Sequence, residues 1–372
     1  MDNFIPVNEP SLGEREKELL IECIDTGWIS SEGPFVERFE NSFSNKVNRK
    51  YGITCSSGTA ALDLAVASLN IGPGDEVIMP TFTIISCAAS VIRRGAKPVL
   101  IDADSKTWNM NVEEIEASIT SKTVAIMAVH IYGLPVDMDP LLAIANKYKL
   151  IVIEDAAELI GAKYKNNPCG SFGHISTFSF YPNKQITTGE GGMVVTNDIQ
   201  ISNRCKSLRN LCFQKNKRFI HEELGWNYRM TNLQAALGLA QLEKLESIIK
   251  VKIKNGEIYN QFLEGTTGLE TPLKKTSYAE NIYWVYGILI NSEIATAEEI
   301  MSKLRVSNIG TRPFFYPMHK QPVFKEMGIF DNKPFPISEE LYKKGFYLPS
   351  GLNLKFENIK KVSEVLKNLI QK

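Results

Sequence analysis

A lysine with unusual neighbours is the first candidate for chemistry in this sequence. Lys184 lies in the segment SFYPNKQITTGEGG at 179–192, between a predicted strand and a turn rich in glycine. Its apolar neighbours Phe180, Tyr181 and Ile186 would desolvate the amine, and desolvation lowers the pKa of a lysine. The neutral amine is a nucleophile that forms Schiff bases with carbonyl compounds. Most lysines are solvated surface residues, so this interpretation depends on the flanking residues.

A second segment places a carboxylate where parallel sheets bind ligands. Asp155 follows the apolar run at 150–154 and stands at the carboxyl end of a predicted strand. Ligands of open α/β sheets bind at that edge. A buried carboxylate is costly unless it pairs with a cation, and a protonated pyridine nitrogen would be such a partner. The alternative is that Asp155 caps the helix that follows.

A third segment could hold a phosphate group. Residues 55–62, CSSGTAAL, follow a predicted strand at 51–54, and Gly58 and Thr59 open an alanine-rich helix. Backbone N–H groups, hydroxyls and the positive end of the helix dipole would converge there. Ordinary helix capping would use the same residue types. The sequence contains neither GxxxxGK[ST] nor GxGxxG after a strand, which argues against P-loop and Rossmann sites.

Short apolar strands alternate with helices over the first 200 residues and must position these three segments. We predict strands at 75–79, 97–101, 123–129 and 150–154, and helices near 58–69, 83–93, 111–117 and 137–148. This alternation predicts an α/β fold whose mostly parallel sheet is covered on both faces.

The composition changes near residue 250, after a long amphipathic pattern. Residues 265–281 are polar and rich in turn-forming residues. Beyond them we predict a strand at 283–290, a helix at 297–305 and a terminal helix near 356–371. We therefore predict two domains: a large α/β domain at 1–250 and a smaller C-terminal α+β domain at 251–372.

Charge and cysteine content restrict the class of protein. Lys and Arg number 42 and Asp and Glu also 42, so the 372-residue chain has no formal net charge. This balance argues against a nucleic-acid partner. The six cysteines form no CxxC pair and no metal-type spacing, so we expect reduced thiols and no metal. The N-terminus shows no export signal and no stretch has the length of a membrane helix, so we expect a soluble cytoplasmic protein.

Together, a phosphate cradle, an aspartate at a strand end and a lysine before a glycine-rich turn describe a site for pyridoxal 5'-phosphate (PLP) held at three points. The sequence resembles the sugar aminotransferases of the DegT/DnrJ/EryC1/StrS family, a branch of fold-type I PLP-dependent enzymes. The resemblance covers nearly the whole chain. It rests on TFSFYPNKQITTGEGG and IEDAAE, and on TGWISSEGPFVERFE at 26–40, IGPGDEVIMPTFT at 71–83, GWNYRMTNLQAALGLAQLE at 225–243 and TRPFFYPMHKQP at 311–322.

The resemblance implies a role for each matching position. Lys184 would form the Schiff base with PLP and move protons, and Asp155 would keep the pyridine nitrogen protonated. Phe82 would stack on the ring. Glu158 would lie near the phenolic oxygen, where an acid must be protonated or turned away. Asn227 would reach the phosphate of a neighbouring subunit, which implies a homodimer. The phosphate itself would be bound by Gly58, Thr59 and Ser179.

The resemblance also implies the reaction. An amino group would pass from L-glutamate to a 4-keto-6-deoxy nucleotide sugar for surface polysaccharide or glycan synthesis. Two alternatives stay open: another acceptor, such as a 3-keto sugar nucleotide or a small phosphorylated ketone, and a PLP-binding regulator without activity. The presence of Lys184 counts against the regulator. Five residues would contact the substrate: Trp28, Ser31, Arg312, Tyr316 and His319. Arg204, Lys206 and Arg209 are interpreted as one solvated helix face.

Overall fold

The computed structural model describes residues 4–214, 216–291, 295–330 and 333–370. Within these ranges the largest sheet is built from seven strands: Tyr51–Cys55 (β1), Glu76–Pro80 (β2), Lys97–Ile101 (β3), Thr123–Val129 (β4), Ile151–Asp155 (β5), Ile175–Ser179 (β8) and Gly192–Thr196 (β9). Between β5 and β8, Lys163–Tyr164 (β6) and Asn167–Pro168 (β7) form a two-stranded ribbon. The strand order in the large sheet is β1-β9-β8-β5-β4-β2-β3.

Neighbouring strands of this sheet are parallel except at β9, which runs antiparallel to both β1 and β8. The strands are buried on both faces, and successive residues of β5 show why: Val152 and Ile153 pack into different hydrophobic clusters. Both faces must therefore be apolar, which explains the continuous apolar runs in the sequence. The predicted α/β fold with a mostly parallel sheet is confirmed.

Helices surround the large sheet. Their bounds are Glu14–Thr26 (α1), Pro34–Lys46 (α2), Gly58–Ser68 (α3), Ile85–Arg93 (α4), Met138–Tyr148 (α5), Ile199–Arg209 (α6), Asn232–Glu243 (α7) and Leu245–Leu263 (α8). Local sequence sets where they begin. The Ser57 side chain accepts a hydrogen bond from the Ala60 N–H at the start of α3, and Thr231 and Gln234 form a capping box at the start of α7.

A second, antiparallel sheet follows in the last third of the chain. Its strands are Leu269–Glu270 (β10), Tyr286–Ile290 (β11), Arg312–Pro313 (β12) and Gly345–Leu348 (β13), in the order β10-β11-β13-β12. The helices of this region are Ala297–Val306 (α9), Pro322–Glu326 (α10), Pro336–Lys344 (α11) and Phe356–Ile370 (α12). One hydrophobic cluster contains Trp284 and Phe314 from this region together with Val77 and Phe82 from the first. The two sheets thus share a core.

Two local predictions differ from the structure. The helix predicted near 111–117 is a pair of short 3₁₀ turns, Val112–Glu114 and Glu116–Ser118. Arg209 does not lie on a solvated face: its guanidinium contacts the Glu40 carboxylate at 2.6 Å and the Thr54 carbonyl oxygen at 2.6 Å. The buried carboxylate of Glu40 requires such a cation, and no local periodicity connects residues so far apart in sequence.

The predicted domain boundary falls inside a helix. Residue 250 lies within α8, which runs without interruption from Leu245 to Leu263. The two-domain division therefore stays a prediction, and its boundary is not a flexible linker. In the described part of the chain, no helix is long and apolar enough to cross a membrane. All six cysteines are free and buried.

Candidate functional site

A cavity of about 480 Å³ lies where the strands of the large sheet end. Its floor consists of residues at the carboxyl ends of β4, β5 and β8 and of the segment that opens α3, as expected for a parallel sheet. The second sheet and the loops next to it supply the opposite set of side chains. The lining on that side includes Trp284, Arg312, Pro313, Phe315 and Tyr347.

The start of α3 forms a small polar cradle in this cavity. Thr59 Oγ1 and Ser86 Oγ are 2.8 Å apart, and the Ser179 hydroxyl lies across from the helix start. A Cβ atom on Gly58 would come within 2.7 Å of the Ser179 Cβ, and one on Gly192 within 2.3 Å of the Ser57 carbonyl oxygen. Only glycine at these two positions allows the strands and the helix start to approach so closely.

Asp155 lies at the end of β5 and is 3% exposed. One carboxylate oxygen accepts a hydrogen bond from the Ala157 N–H at 3.1 Å, and the other accepts from the Cys87 thiol at 3.3 Å. Burial raises the pKa of the Cys87 thiol well above its usual value, so the sulfur stays protonated and donates. No ion pair to a cation involves Asp155 among the described residues. The carboxylate thus has room for a cationic partner from a ligand.

The amine of Lys184 also faces the cavity. Its Nζ lies 3.8 Å from Glu158 Oε1 and 3.8 Å from the centre of the Trp284 ring. Burial lowers the pKa of Lys184, although the Glu158 and Asp155 carboxylates act in the opposite direction. The desolvation inferred from the sequence is therefore present, and Trp284 supplies a large part of the apolar cover. A lysine in this environment has access to its neutral, nucleophilic form.

Glu158 shares the burial of Lys184. Its Oε2 accepts a hydrogen bond from the Tyr132 N–H at 2.7 Å. Burial raises the pKa of Glu158 to about 7, while Lys184 and the Tyr132 N–H partly oppose this rise. Burial thus favours the neutral form of both groups, and each opposes the shift of the other, so their titrations are coupled. The raised pKa is compatible with a protonated acid, one of the two arrangements, protonated or turned away, that we expect for Glu158.

Several predicted residues do not line the cavity. The Phe82 ring is fully buried and packs against Tyr132, Phe314 and Phe315. Phe82 is absent from the cavity lining, whereas Thr83 and Ile84, which follow it, contribute to that lining. The position of Phe82 in the core therefore does not favour stacking on a ligand. Tyr316 also lies outside the lining and packs edge-to-face against Tyr342.

His319 has a structural environment. Its ring is buried between the Thr81 hydroxyl at 2.8 Å and the Glu339 carboxylate at 3.0 Å. Burial lowers its pKa, although the hydrogen bond to Glu339 opposes this shift. The imidazole therefore bridges the end of β2 and helix α11 rather than the cavity. Of the five predicted substrate residues, the structure places only Arg312 in the cavity wall.

Three further predicted residues lie on the surface of this chain. Trp28 is 50% exposed, and Ser31 is half-buried near it. Asn227 is exposed, and its Oδ1 accepts a hydrogen bond from the Arg229 Nε at 2.9 Å. None of the three contributes to the lining of the cavity in the described chain.

Sequence analysis did not identify Trp284, Tyr132 or Ser86. Trp284 precedes a strand more than 90 residues from Lys184, and only the shared core brings its ring over the amine. Tyr132 acts through its backbone N–H, which no residue type reveals. Ser86 lies on the same predicted helix as Cys87, where a serine is unremarkable. Ser86 could have been indicated only by the expectation that the segment between β2 and α4 lies next to the start of α3.

The residues of the cavity fit PLP. A hydroxyl-lined helix start suits a phosphate, an uncompensated buried carboxylate suits a protonated ring nitrogen, and a desolvated amine suits an aldehyde. In addition, the Thr177 hydroxyl lines the cavity and is buried with no hydrogen-bond partner among the described residues. Such a group calls for a polar ligand atom.

Comparison with known proteins agrees with this chemistry. The model of the DegT/DnrJ/EryC1/StrS aminotransferase family matches residues 10–367. The chain belongs to this family. It is 43% identical to the GDP-perosamine synthase of Escherichia coli O157:H7 over 96% of both chains. It is 40% identical to the GDP-perosamine synthase of Vibrio cholerae, over 98% of this chain and 99% of that protein.

A solved structure of a relative carries the same fold. A protein from Streptococcus pneumoniae in its PLP form superposes with a TM-score of 0.92, at 26% identity, over 99% of both chains. The chain described here is accordingly a PLP-dependent transaminase of the sugar aminotransferase type, with a fold-type I architecture.

Proposed function

We propose that this member of the family transfers an amino group from L-glutamate to the keto carbon of a GDP-linked 4-keto-6-deoxy sugar, the reaction of a GDP-perosamine synthase. End-to-end identities of 43% and 40% to two enzymes of that name support the proposal. The observation that carries the chemistry is the desolvated Lys184 amine, 3.8 Å from Glu158 in the same cavity as Asp155 and the cradle.

The large-sheet side of the cavity would hold the cofactor. Gly58 and Thr59 at the start of α3 and the Ser179 hydroxyl would bind the phosphate. Asp155 would bind the pyridine nitrogen through a charge-assisted hydrogen bond and keep it protonated. The donor to its second oxygen, the Cys87 thiol, is neutral and so leaves the negative charge of the carboxylate uncompensated. When bound, PLP supplies an electron sink for the carbanion formed at the amino carbon.

Lys184 would carry the proton between the two carbon positions of the transamination. In the neutral form its Nζ would take a proton from the amino carbon of the donor, and the resulting ammonium would give a proton back on the cofactor side. Burial favours the neutral form by lowering the pKa of the lysine. The Trp284 ring over Nζ would limit the access of water and so reduce the loss of the proton to solvent between the two transfers.

Glu158 would buffer the charge of this amine. When Lys184 is an ammonium, the Glu158 carboxylate 3.8 Å away stabilises it. When Lys184 is neutral, Glu158 takes up a proton at little cost because its pKa is about 7. We therefore assign the reacting proton to Lys184 and the compensating one to Glu158.

A homodimer would complete the site. Asn227 is exposed in the same segment as Phe219 and Leu224, which are 81% and 90% exposed. Apolar side chains this open in one segment support burial against a second copy of the chain. Trp28 and Ser31 would contribute to substrate contacts in that assembly. Six free, buried cysteines support placement of the enzyme in the reducing cytoplasm.

The test of the proposed function is a product assay. The PLP form is incubated with L-glutamate and, in parallel, with GDP-, UDP- and dTDP-linked keto sugars, and products are identified by mass. We expect amination of the GDP-linked 4-keto-6-deoxy sugar, and none with Lys184→Ala. Preferred amination of a 3-keto sugar nucleotide or a small phosphorylated ketone would overturn the acceptor assignment. Absence of any glutamate-dependent reaction would overturn the function itself.

A further inference from the structure

A second, smaller cavity opens beside the first. This annex has a volume of about 140 Å³ and is bounded on its far side by the N-terminal segment at Val7, Asn8 and Pro10. It shares four lining residues with the main cavity, so the two spaces meet at these side chains: Tyr181, Asn183, Arg312 and Tyr347.

Arg312 is the unusual member of this junction. Its side chain is exposed to the cavities, and among the described residues its guanidinium forms no hydrogen bond or ion pair. The Tyr347 hydroxyl lies close enough to Arg312 for the arginine to oppose the rise in the tyrosine pKa that burial causes. That pKa is about 12, so the phenol is a neutral hydrogen-bond donor at physiological pH. It too has no hydrogen-bond partner among the described residues.

The charges of the two cavities point to the kind of group that Arg312 would bind. Three carboxylates, Asp155, Glu158 and Glu190, line the main cavity. Against them stand Lys184, which is paired with Glu158, and Arg312, which is unpaired. Within this lining, the α3 helix start and Arg312 are therefore the features that attract an anionic substrate. Under the proposed function the helix start is taken by the cofactor phosphate, which leaves Arg312.

The two anionic substrates, the amino donor and the nucleotide sugar, differ in size. A diphosphate linked to a nucleoside is larger than the annex and carries two adjacent charges, whereas the junction offers a single guanidinium. A carboxylate matches the fork of one arginine with two parallel hydrogen bonds, and a neighbouring phenol adds a third donor.

We propose that Arg312, assisted by the Tyr347 hydroxyl, binds a carboxylate of the amino donor at the junction of the main cavity and the annex. This inference rests on the proposed function, because it presupposes an amino acid as donor and the cofactor at the helix start. It adds a donor-specific subsite, made by the second sheet, to a cofactor site made by the large sheet.

The experiment measures the two halves of the reaction separately in the holoenzyme. The wild type is compared with Arg312→Gln, Arg312→Lys and Tyr347→Phe, and with Lys361→Gln as a matched control for loss of an exposed cation far along α12. Stopped-flow absorbance gives the glutamate concentration for half-maximal conversion to the pyridoxamine form. Calorimetry with glutarate, a dicarboxylate without an amine, measures binding in the absence of chemistry.

We expect Arg312→Gln to raise the glutamate requirement, and to weaken glutarate binding, by about tenfold or more. Arg312→Lys keeps the charge without the fork and should lie between, and Tyr347→Phe should lose about threefold. The dependence of the second half-reaction on the keto sugar nucleotide should change less, by about twofold at most. Lys361→Gln should match the wild type in every measurement.

Two results would overturn the inference. One is an unchanged glutamate requirement and unchanged glutarate binding in Arg312→Gln. The other is an equal or larger loss in the sugar half-reaction, which would assign Arg312 to the diphosphate of the acceptor. A wild type that glutamate does not convert would instead refute the proposed function. If Arg312→Gln does not fold, Arg312→Lys and Tyr347→Phe decide the question through the same two measurements.

Discussion

Glu154 and Glu158 are two buried glutamates, four positions apart, whose pKa values shift in opposite directions. Hydrogen bonds converge on the Glu154 carboxylate from the side chains of His130 and Ser176 and from the backbone N–H groups of Gly170, Phe172 and Gly173. Burial alone would raise the pKa of Glu154, but the His130 pair and these donors outweigh it and lower the value to about 2. Glu158 has one N–H donor and an amine 3.8 Å away, and its pKa is about 7.

The difference shows that one stretch of chain can contain a carboxylate that stabilises the fold and a carboxyl group whose charge can change. Glu154 is a fixed anion that ties the ends of β4 and β5 to the loop at 170–176. Because the His130 Nδ1 accepts a hydrogen bond from the Val136 N–H, the Nε2 proton is directed to Glu154. Glu158 has too few donors to fix its charge, and burial raises its pKa to about 7, so its charge can change near neutral pH. Asp155, between them in sequence, is anchored by two donors and keeps its outward face for a ligand.

The largest expected effect is that of removing the Lys184 amine, the group that lies beside Glu158. Lys184→Ala should lower the rate of transamination by about a thousandfold or more, because it removes the amine that would both bind the cofactor covalently and transfer the proton. The variant should still bind PLP without a covalent bond, through the cradle and Asp155. Absorbance of the bound cofactor and single-turnover kinetics with glutamate check both points. Turnover at the wild-type rate would refute the role of Lys184.

The next effect separates Asp155 from Glu158. Asp155→Asn should slow the glutamate half-reaction by about a hundredfold or more, since a neutral amide does not hold the ring nitrogen protonated. Glu158→Gln keeps the hydrogen bond from the Tyr132 N–H and should keep much of the rate. The glutamate half-reaction compares the variants without knowledge of the acceptor. A more damaging Glu158→Gln would reverse the assignment of the two carboxylates.

A smaller effect, on stability, should fall on Glu154. Glu154→Gln replaces one acceptor oxygen with an NH2 donor that faces other donors and leaves backbone N–H groups unpaired. We expect this to cost about 3 kcal/mol in the free energy of unfolding. Denaturant unfolding followed by fluorescence measures this loss, with Glu158→Gln as the matched buried control. The activity of folded Glu154→Gln should stay within a few-fold of the wild type. Equal destabilisation by both substitutions would contradict the contrast between support and chemistry.

The smallest effect is a difference in pH dependence. The pKa of Glu158 is raised on folding, so its contribution to stability is present below about 4.5 and is lost as pH rises toward 7. The pKa of Glu154 is lowered, so its contribution is present above about 4.5 and is lost as pH falls toward 2. Melting temperatures of the cofactor-free protein from pH 4.5 to 8 test this. Glu158→Gln should flatten the decline with rising pH, and an unchanged profile would argue against the raised pKa.

The sequence predicted what local pattern and residue type can encode. Strands at 97–101 and 123–129 have the predicted bounds because their apolar β-branched runs are bounded by turns and helices. The convergence of Lys184, Asp155 and the α3 start follows from the rule that parallel strands end at one edge. The location of the site at that edge could be predicted without knowing how the side chains pack.

What the sequence did not predict depends on contacts between distant segments. The Trp284 ring over Lys184 and the donors that make Glu154 an anion come from the shared core and from backbone N–H groups, which carry no side-chain signature. Phe82 and His319 were interpreted as ligand contacts, but aromatic and histidine side chains also fill cores, and burial decided both. Arg209 was predicted to lie on the surface because its partner, Glu40, is 169 positions away in sequence and no local pattern indicates the contact.

Strand β9 has a topological consequence for the nucleophile. Since β9 runs antiparallel to β8, the chain returns directly, through residues 180–191, at the edge where β8 ends. A parallel successor would have required a crossover along a whole face of the sheet, and the segment would have left that edge. The reversal of one strand confines Lys184 to a short return loop above the strand ends. Insertions in this loop would displace the amine directly, whereas the crossovers on the two faces can change length without moving it.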